Sequence, residues 1–532
     1  MKRSNLIRVL IILVIFDTIQ NFRVFGSNNN QEISGTVFED SNNNSLLDPG
    51  ERGIPGILMS NQYEIAETDE KGRYTLPVIS DETIISLIKP AGYSVPLNEY
   101  NLPQFYYIHK PDGSPDLEYG GIEPTGDLPS ELNFALQKTP VKDTFKVIVM
   151  ADPQTRTIEE VNFLRDDIAA ELIGTEALFN IALGDIMFED LSLFEPYNAV
   201  LSMIDIPMYN VPGNHDYDHY SDTVHHTVET FKQHFGPDYY ALEYGKVSFI
   251  VLNSVYWPED QNNSSLRDYE GLLDEKQLKW IENYLKYLPA EQLLVFCMHI
   301  PLHSLNSDEP QGFISNRSDF FNLVKDRKHL LALSGHLHAL ENFYLDKTME
   351  WTSSTSFQQV SCAAASGNWW SGPKDERGIP VTVQLKDGTP NGYHIFSFSG
   401  NTYSQRFKAA SRDENYQMRI SSPSGIIDRH TIDSVNIIIN VFNGNTFSEV
   451  TYRIDNSPSD DLKKAKMKDP FAIQLFTENS QCYKEWMSVG ISNHMWTGKL
   501  PSDLAVGMHK IIVNAKDEYG NEFRKASIFE IK

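Results

Sequence analysis

Five short apolar segments of this 532-residue chain lead into residues that bind cations or move protons. The first, FKVIVM, is followed by Asp152, Pro153 and Gln154. LFNIAL leads into GDIMFED, with Gly184 and Asp185, and IPMYNV leads into PGNHD, with Gly213, Asn214, His215 and Asp216. LLVFCM is followed by His299, and LLALS by Gly335, His336 and His338 in GHLH. Carboxylate, amide oxygen and imidazole together suit divalent first-row metals without any thiolate. The candidate ligands are Asp152, Gln154, Asp185, Asn214, His299, His336 and His338, more than one tetrahedral ion takes. Two ions sharing a bridging carboxylate is the economical reading.

Positioning such a set requires strands that all end on one side. From about 142 to 345 the apolar runs alternate with helical patterns, which predicts an α/β domain that reaches 142–390 with its connector. DEKQLKWIENYLKYL is the clearest helix, with Leu278, Ile281, Leu285 and Leu288 spaced for one face. Functional residues in open α/β sheets gather at the strand ends. Glycine before Asp185, Asn214 and His336 lets the backbone leave its ladder in close packing.

The order D-x-[HQ], GD, GNHD, H, GHxH over about 145–345 resembles the calcineurin-like metallophosphoesterase superfamily. The flanks, including GNWWSGPKDERGIP and DGTPNGYHIFSF, resemble the bacterial three-domain type with added N- and C-terminal β modules. The resemblance implies a β-sandwich core flanked by helices, lying between two β-sandwich-like domains. It also implies a first divalent ion (Mn, Fe or Zn class) on Asp152, Gln154, Asp185 and His338, and a second on Asp185, Asn214, His299 and His336. A metal-bridging hydroxide would then be the nucleophile, with Asp185 bridging and His215 as general acid. Two departures from the family pattern stand out. Gln154 occupies a position usually held by His, and an amide oxygen is a weaker donor than imidazole. Phe188 stands three residues after Asp185, where relatives often carry an acid that orients the histidine. Glu189, Asp190 and Asp216 remain open for that role. Phe188 also removes the tyrosinate expected of purple acid phosphatases.

Short β patterns and turn signals over 31–138 predict a β-sandwich, and strand patterns over 391–532 predict another. Inside the first lies DSNNNSLLDPGE, in which Asp40, Asn42, Asn44, Asp48 and Glu51 match positions 1, 3, 5, 9 and 12 of a calcium loop. Ser45 replaces the usual glycine, and no helices flank the loop. The stretch is similar to loops of bacterial surface B-type repeats, so a structural Ca²⁺ without a catalytic role is expected. Trp369 and Trp370, in the connector 352–380, are candidates for an aromatic lip on the substrate entrance.

Composition narrows the partners. A formal charge of −27 disfavours a polynucleotide held by its phosphates, but small phosphate esters remain accessible if metal ions supply local positive charge. Lys2, Arg3 and Arg8, the apolar run Val9–Phe16 and the small residues Gly26 and Ser27 outline a signal peptide over 1–26. The run is shorter than the roughly 20 apolar residues of a spanning helix. Export to the periplasm or beyond is expected, with membrane anchoring if the leader is not cleaved and no span in the mature chain. Cys297, Cys362 and Cys482 make no disulfide scaffold. The reading is an exported phosphoesterase of mono- or diesters. The alternative, a non-catalytic surface or periplasmic binding protein on the same scaffold, is opposed by the intact ligand set.

Overall fold

Residues Val147, Ile148, Val149 and Met150 are all essentially inaccessible, so the second half of the strand Thr144–Met150 is covered on both faces, while Thr144 and Lys146 at its start are exposed. That explains the unbroken apolar run from Val147 to Met150. The computed structural model describes residues 31–221, 223–258, 269–380 and 385–532, and the leader expected at 1–26 lies outside them. Among the described residues, no helix is long and apolar enough to cross a membrane.

The core consists of two facing sheets. One has the strand order Met208–Asn210, Asn180–Ala182, Thr144–Met150, Gly392–Ser399, Thr402–Ala409. The other runs Tyr240–Tyr244, Val247–Val251, Leu293–Cys297, His329–Ser334, Phe357–Ser361, Glu341–Tyr344. Side-chain alternation sends Phe145, Val147, Val149 and Ile181 inward to meet Phe249, Val295 and Leu333. Ile148, Met150 and Ala182 point outward to the helices Ile158–Leu164 and Phe194–Ser202. On the far side, Leu294 and Phe296 pack on Glu275–Leu285 and Arg317–Val324. The result is a helix–sheet–sheet–helix stack, the expected sandwich flanked by helices.

The helix Glu275–Leu285 forms where its periodicity predicts. Asp274 caps it by accepting from the Gln277 amide at 2.7 Å. Its buried face is centred on Trp280, Ile281, Tyr284 and Leu285, while Leu278 is only partly covered.

Both flanking modules are pairs of antiparallel-rich sheets. The N-terminal pair comprises two four-stranded sheets between Glu32 and Lys138. Its hydrophobic core is continuous with that of the central domain, and Phe105 packs on Tyr240 at 5.1 Å. A charged cluster reinforces the contact: Lys110 pairs with Glu82 and with Glu229, each at 2.7 Å, and Lys232 pairs with Glu82.

The expected boundary at 391 requires correction. Gly392–Ser399 pairs antiparallel with Thr144–Met150, and Thr402–Ala409 lies beside it, so 392–409 belongs to the core sheet. A strand pattern does not reveal which sheet it joins; the inward packing of Phe396 and Phe398 decides it here. The C-terminal sandwich begins at the strand Met418–Ser422 and contains four- and five-stranded sheets. It also carries a helix, Pro470–Glu478, that the strand pattern did not anticipate.

Candidate metal centre

All seven expected ligands lie at the ends of core strands and gather at one place. His299 Nε2 sits 3.1 Å from Asn214 Oδ1, 3.2 Å from Asp185 Oδ1 and 3.2 Å from His336 Nδ1. Ligand atoms of Asp185, His299 and His336 fall within 4.8 Å of one another. Beside them, His338 Nε2 lies 3.8 Å from Asp152 Oδ1, and Gln154 Nε2 donates to Asp185 Oδ2 at 3.0 Å. Asp185 therefore stands between the two groups.

Local backbone makes this convergence possible. Asp152, Gln154, Asp185, His336 and His338 all adopt positive φ, between 42° and 72°. Each such non-glycine conformation costs on the order of 1–3 kcal/mol and clusters where a site demands it. The neighbouring glycines have no room for a side chain. A Cβ on Gly213 would lie 2.0 Å from the Asp185 amide nitrogen, and one on Gly335 would lie 2.6 Å from Asp152 Oδ2.

The histidines are held in ligand-competent tautomers. His299 Nδ1–H donates to Leu183 O at 2.8 Å, and His338 Nδ1–H donates to Gly367 O at 2.7 Å. Each bond turns the opposite nitrogen toward the site. Burial pushes His336 and His338 down to about 3, so both imidazoles are neutral and carry a lone pair. Burial likewise pushes Asp152 up to about 7, aided by the Asp185 charge. Burial also works against ionised Asp185, but the adjoining imidazoles, His299 foremost, hold it below its ordinary value. Two buried carboxylates side by side are electrostatically costly, and a cation between them relieves the strain.

The orphaned atoms point the same way. Gln154 Oε1 and His338 Nε2 are buried and have no hydrogen-bond partner among the described residues. The oxygen of Gln154 is thus free, while its amide nitrogen is spent on Asp185. If Gln154 is a ligand, Gln154→His should tighten the first ion, and Gln154→Leu should weaken it without unfolding the chain. Metal analysis of the purified variants checks this; equal content in all three proteins would place Gln154 outside the coordination sphere.

The acids left open by the sequence now separate. Asp216 accepts from the amides of Gly213 and Met187, both at 2.9 Å, and so ties the GNHD turn to the GD turn. Asp190 caps a short helical turn through the Ser192 amide. Glu189 faces His215, with Oε1 3.6 Å from Nδ1. Burial opposes the His215 charge, but Asp185 and Glu189 outweigh it and raise the imidazole above its ordinary value. Phe188 stacks on the same ring at 4.4 Å.

The tryptophan pair splits. Trp369 stacks on His338 at 4.1 Å and lines the cavity. Trp370 does not reach the lip: its Nε1–H donates to Pro153 O at 2.8 Å, and its ring packs near Phe163 beneath the ligand turn. Adjacent residues on a tight turn point apart, and spacing alone does not say which one faces the cavity.

The cavity encloses about 560 Å³ over the candidate metal ligands. Part of its wall comes from residues that the sequence motifs did not mark. Lys386, Lys468 and the segment Val489, Gly490 and Ile491 line it, the last four contributed by the C-terminal module. No motif or spacing distinguishes these residues before the chain is folded.

Three family models match the chain in succession. Residues 41–119 match the N terminal of calcineurin-like phosphoesterase, 145–340 the calcineurin-like phosphoesterase core, and 360–523 its C terminal. The chain belongs to the calcineurin-like phosphoesterases. Its similarity to individual members of that family is lower. It is 23% identical over 170 residues to a probable glycerophosphodiester phosphodiesterase GpdQ of Arcobacter nitrofigilis, covering 32% of this chain and 59% of that protein. It is 26% identical over 205 residues to the human serine/threonine-protein phosphatase CPPED1, covering 38% of this chain and 60% of that one. The chain thus spans no more than about three fifths of the length of these relatives. Among solved structures, a dimetal phosphatase from Danio rerio aligns with 15% identity over 50% of this chain and 96% of its own, at a TM-score of 0.36. The yellow lupin purple acid phosphatase PPD1 aligns with 12% identity over 67% of this chain and 69% of its own, at a TM-score of 0.35.

Proposed function

We propose that this calcineurin-like phosphoesterase hydrolyses small phosphate esters with two divalent ions. One observation carries the reading: three ligand atoms converge on His299 Nε2, while Gln154 Oε1 and His338 Nε2 lie buried nearby without a hydrogen-bond partner among the described residues. This oxygen and nitrogen donor set suits ions of the Mn, Fe or Zn class. Asp152, Gln154, Asp185 and His338 would hold one ion, and Asp185, Asn214, His299 and His336 the other. When bound, the pair would supply Lewis acidity and water activated near neutral pH.

The chain's own residues do the rest. His215 stands at the cavity, its backbone amide fixed by Asp185 Oδ1 at 2.9 Å and its ring held between Phe188 and Glu189. Asp185 and Glu189 help this imidazole hold its proton to a higher pH than a free one, and its place at the cavity lets it give that proton to the departing ester oxygen. The convergence of ligands around His215 favours an enzyme over a binding scaffold. A phosphate-release screen over monoesters, diesters and pyrophosphates, run with and without added Mn²⁺, tests the reading. Metal-dependent release is expected, and a metal-loaded chain that turns over none of these classes would refute it.

Two further readings accompany this one. The leader pattern at 1–26 supports export, and the acidic surface supports a small ester rather than a polynucleotide. The loop 40–51 supports a structural calcium site. Asp40 already folds the loop by accepting from the amides of Asn42, Asn43, Asn44 and Ser45. Asn42 and Asn44 both turn toward Asp48 Oδ2 at 2.8 Å. Millimolar Ca²⁺ should raise the melting temperature of the full chain, and Asp48→Asn should abolish the increment, since a ligand that binds only the folded state must stabilise it. A melting curve indifferent to Ca²⁺ would leave the loop as a hydrogen-bonded turn.

A further inference from the structure

Of the two lysines that line the cavity, Lys386 is the more buried. It is half-buried, and its Nζ lies 5.4 Å from the centroid of Trp369, the ring stacked on His338. No carboxylate among the described residues comes within ion-pair distance of this Nζ. Burial works against its charge, and the metal-ligand candidate Asp152 works in its favour. Glu341, which also lines the cavity, already accepts from the Leu305 amide and from Asn306 Nδ2. A lysine with no carboxylate partner among the described residues, beside a set of candidate metal ligands, is placed to meet an anion from solution.

Its position is fixed from two domains. The Lys386 amide donates to His338 O at 2.9 Å, and its carbonyl accepts from the Gly490 amide at 2.7 Å. Asp387, next in sequence, accepts from the Leu340 amide at 2.7 Å and pairs with His494 of the C-terminal module at 2.9 Å. The C-terminal module therefore clamps the turn that carries Lys386 against the metal-ligand loop. Such support from packing and hydrogen bonds is what a binding group needs to be pre-organised.

We propose that Lys386 is a substrate-binding residue that selects phosphate monoester dianions over diesters. The proposal rests on the phosphoesterase reading above and narrows its substrate class. A monoester brings a second negative charge on a free non-bridging oxygen. A diester replaces that oxygen with an uncharged ester arm. In a partly desolvated cavity, an ammonium discriminates between the two by Coulomb attraction and by a charge-assisted hydrogen bond.

The test compares two substrates with the same leaving group, nitrophenyl phosphate and methyl nitrophenyl phosphate, on the Mn²⁺-loaded full chain. In Lys386→Met, the ratio of monoester to diester kcat/KM should fall about 10–100-fold, the range of a lost hydrogen bond to a charged group. Lys386→Arg should restore most of the ratio, and metal content should match the parent protein. An unchanged ratio in Lys386→Met, or loss of metal, would overturn the assignment of Lys386 while leaving the phosphoesterase reading intact. A parent protein inactive on both esters and throughout the wider phosphate-release screen would overturn the phosphoesterase reading and the proposal with it, and one active only on diesters or pyrophosphates would overturn the proposal alone.

Discussion

Asp185→Asn should lose metal and activity together. Asp185 lies between the two ligand groups and touches His299, Gln154 and the His215 amide. Replacing a single partner outside the coordination sphere of a metal site commonly costs 10–100-fold in affinity, so removing the charge of a shared ligand should cost more than about 100-fold. The fold should survive, because the strands around it are held by the inter-sheet core rather than by this carboxylate. Metal analysis, circular dichroism and phosphate release on one preparation check all three points. A variant that keeps its metal and loses only activity would show that Asp185 is not shared between ions.

His215→Ala should behave in the opposite way, retaining near-normal metal content while turnover collapses. The ring is at the cavity, yet its Nδ1 faces Glu189 rather than the ligand cluster. Losing a positioned acid typically costs about 10²–10⁴-fold in rate. The deficit should be largest for alkyl esters, whose departing alkoxide is strongly basic, and smaller for nitrophenyl esters, whose leaving group needs little protonation. Steady-state rates on an alkyl and a nitrophenyl ester, together with metal content, provide the check. A His215→Ala protein stripped of metal would make His215 a ligand, and one with full activity on alkyl esters would remove it from the reaction.

The metal-ligand candidates were legible because each motif follows an apolar run. A strand buried on both faces is conspicuous, and Asp152, Asp185, Asn214, His299 and His336 all follow such strands. The glycines were legible for a related reason, since close backbone approach admits no side chain at Gly213 and Gly335. What the sequence hid depends on partners distant along the chain. Residues 392–409 read as strands but not as strands of the core, because the choice of sheet rests on packing at Phe396 and Phe398. Trp370 read like Trp369, although only one of them faces the cavity. The choice of Glu189 over Asp216 needed the two amides that occupy Asp216. Lys386 carries no motif at all; its role comes from a turn held by His338 and by the loop at Gly490.

The central claim is that two divalent ions sit on these seven side chains and that catalysis requires both. The most direct measurement titrates Mn²⁺ into the chelator-stripped full chain, recording bound ion per chain and the rate of phosphate release at each point. The account predicts that the rate stays low through the first equivalent and rises to its plateau as the second binds. Full activity at one equivalent or fewer, or activity that persists in the chelator, would contradict it.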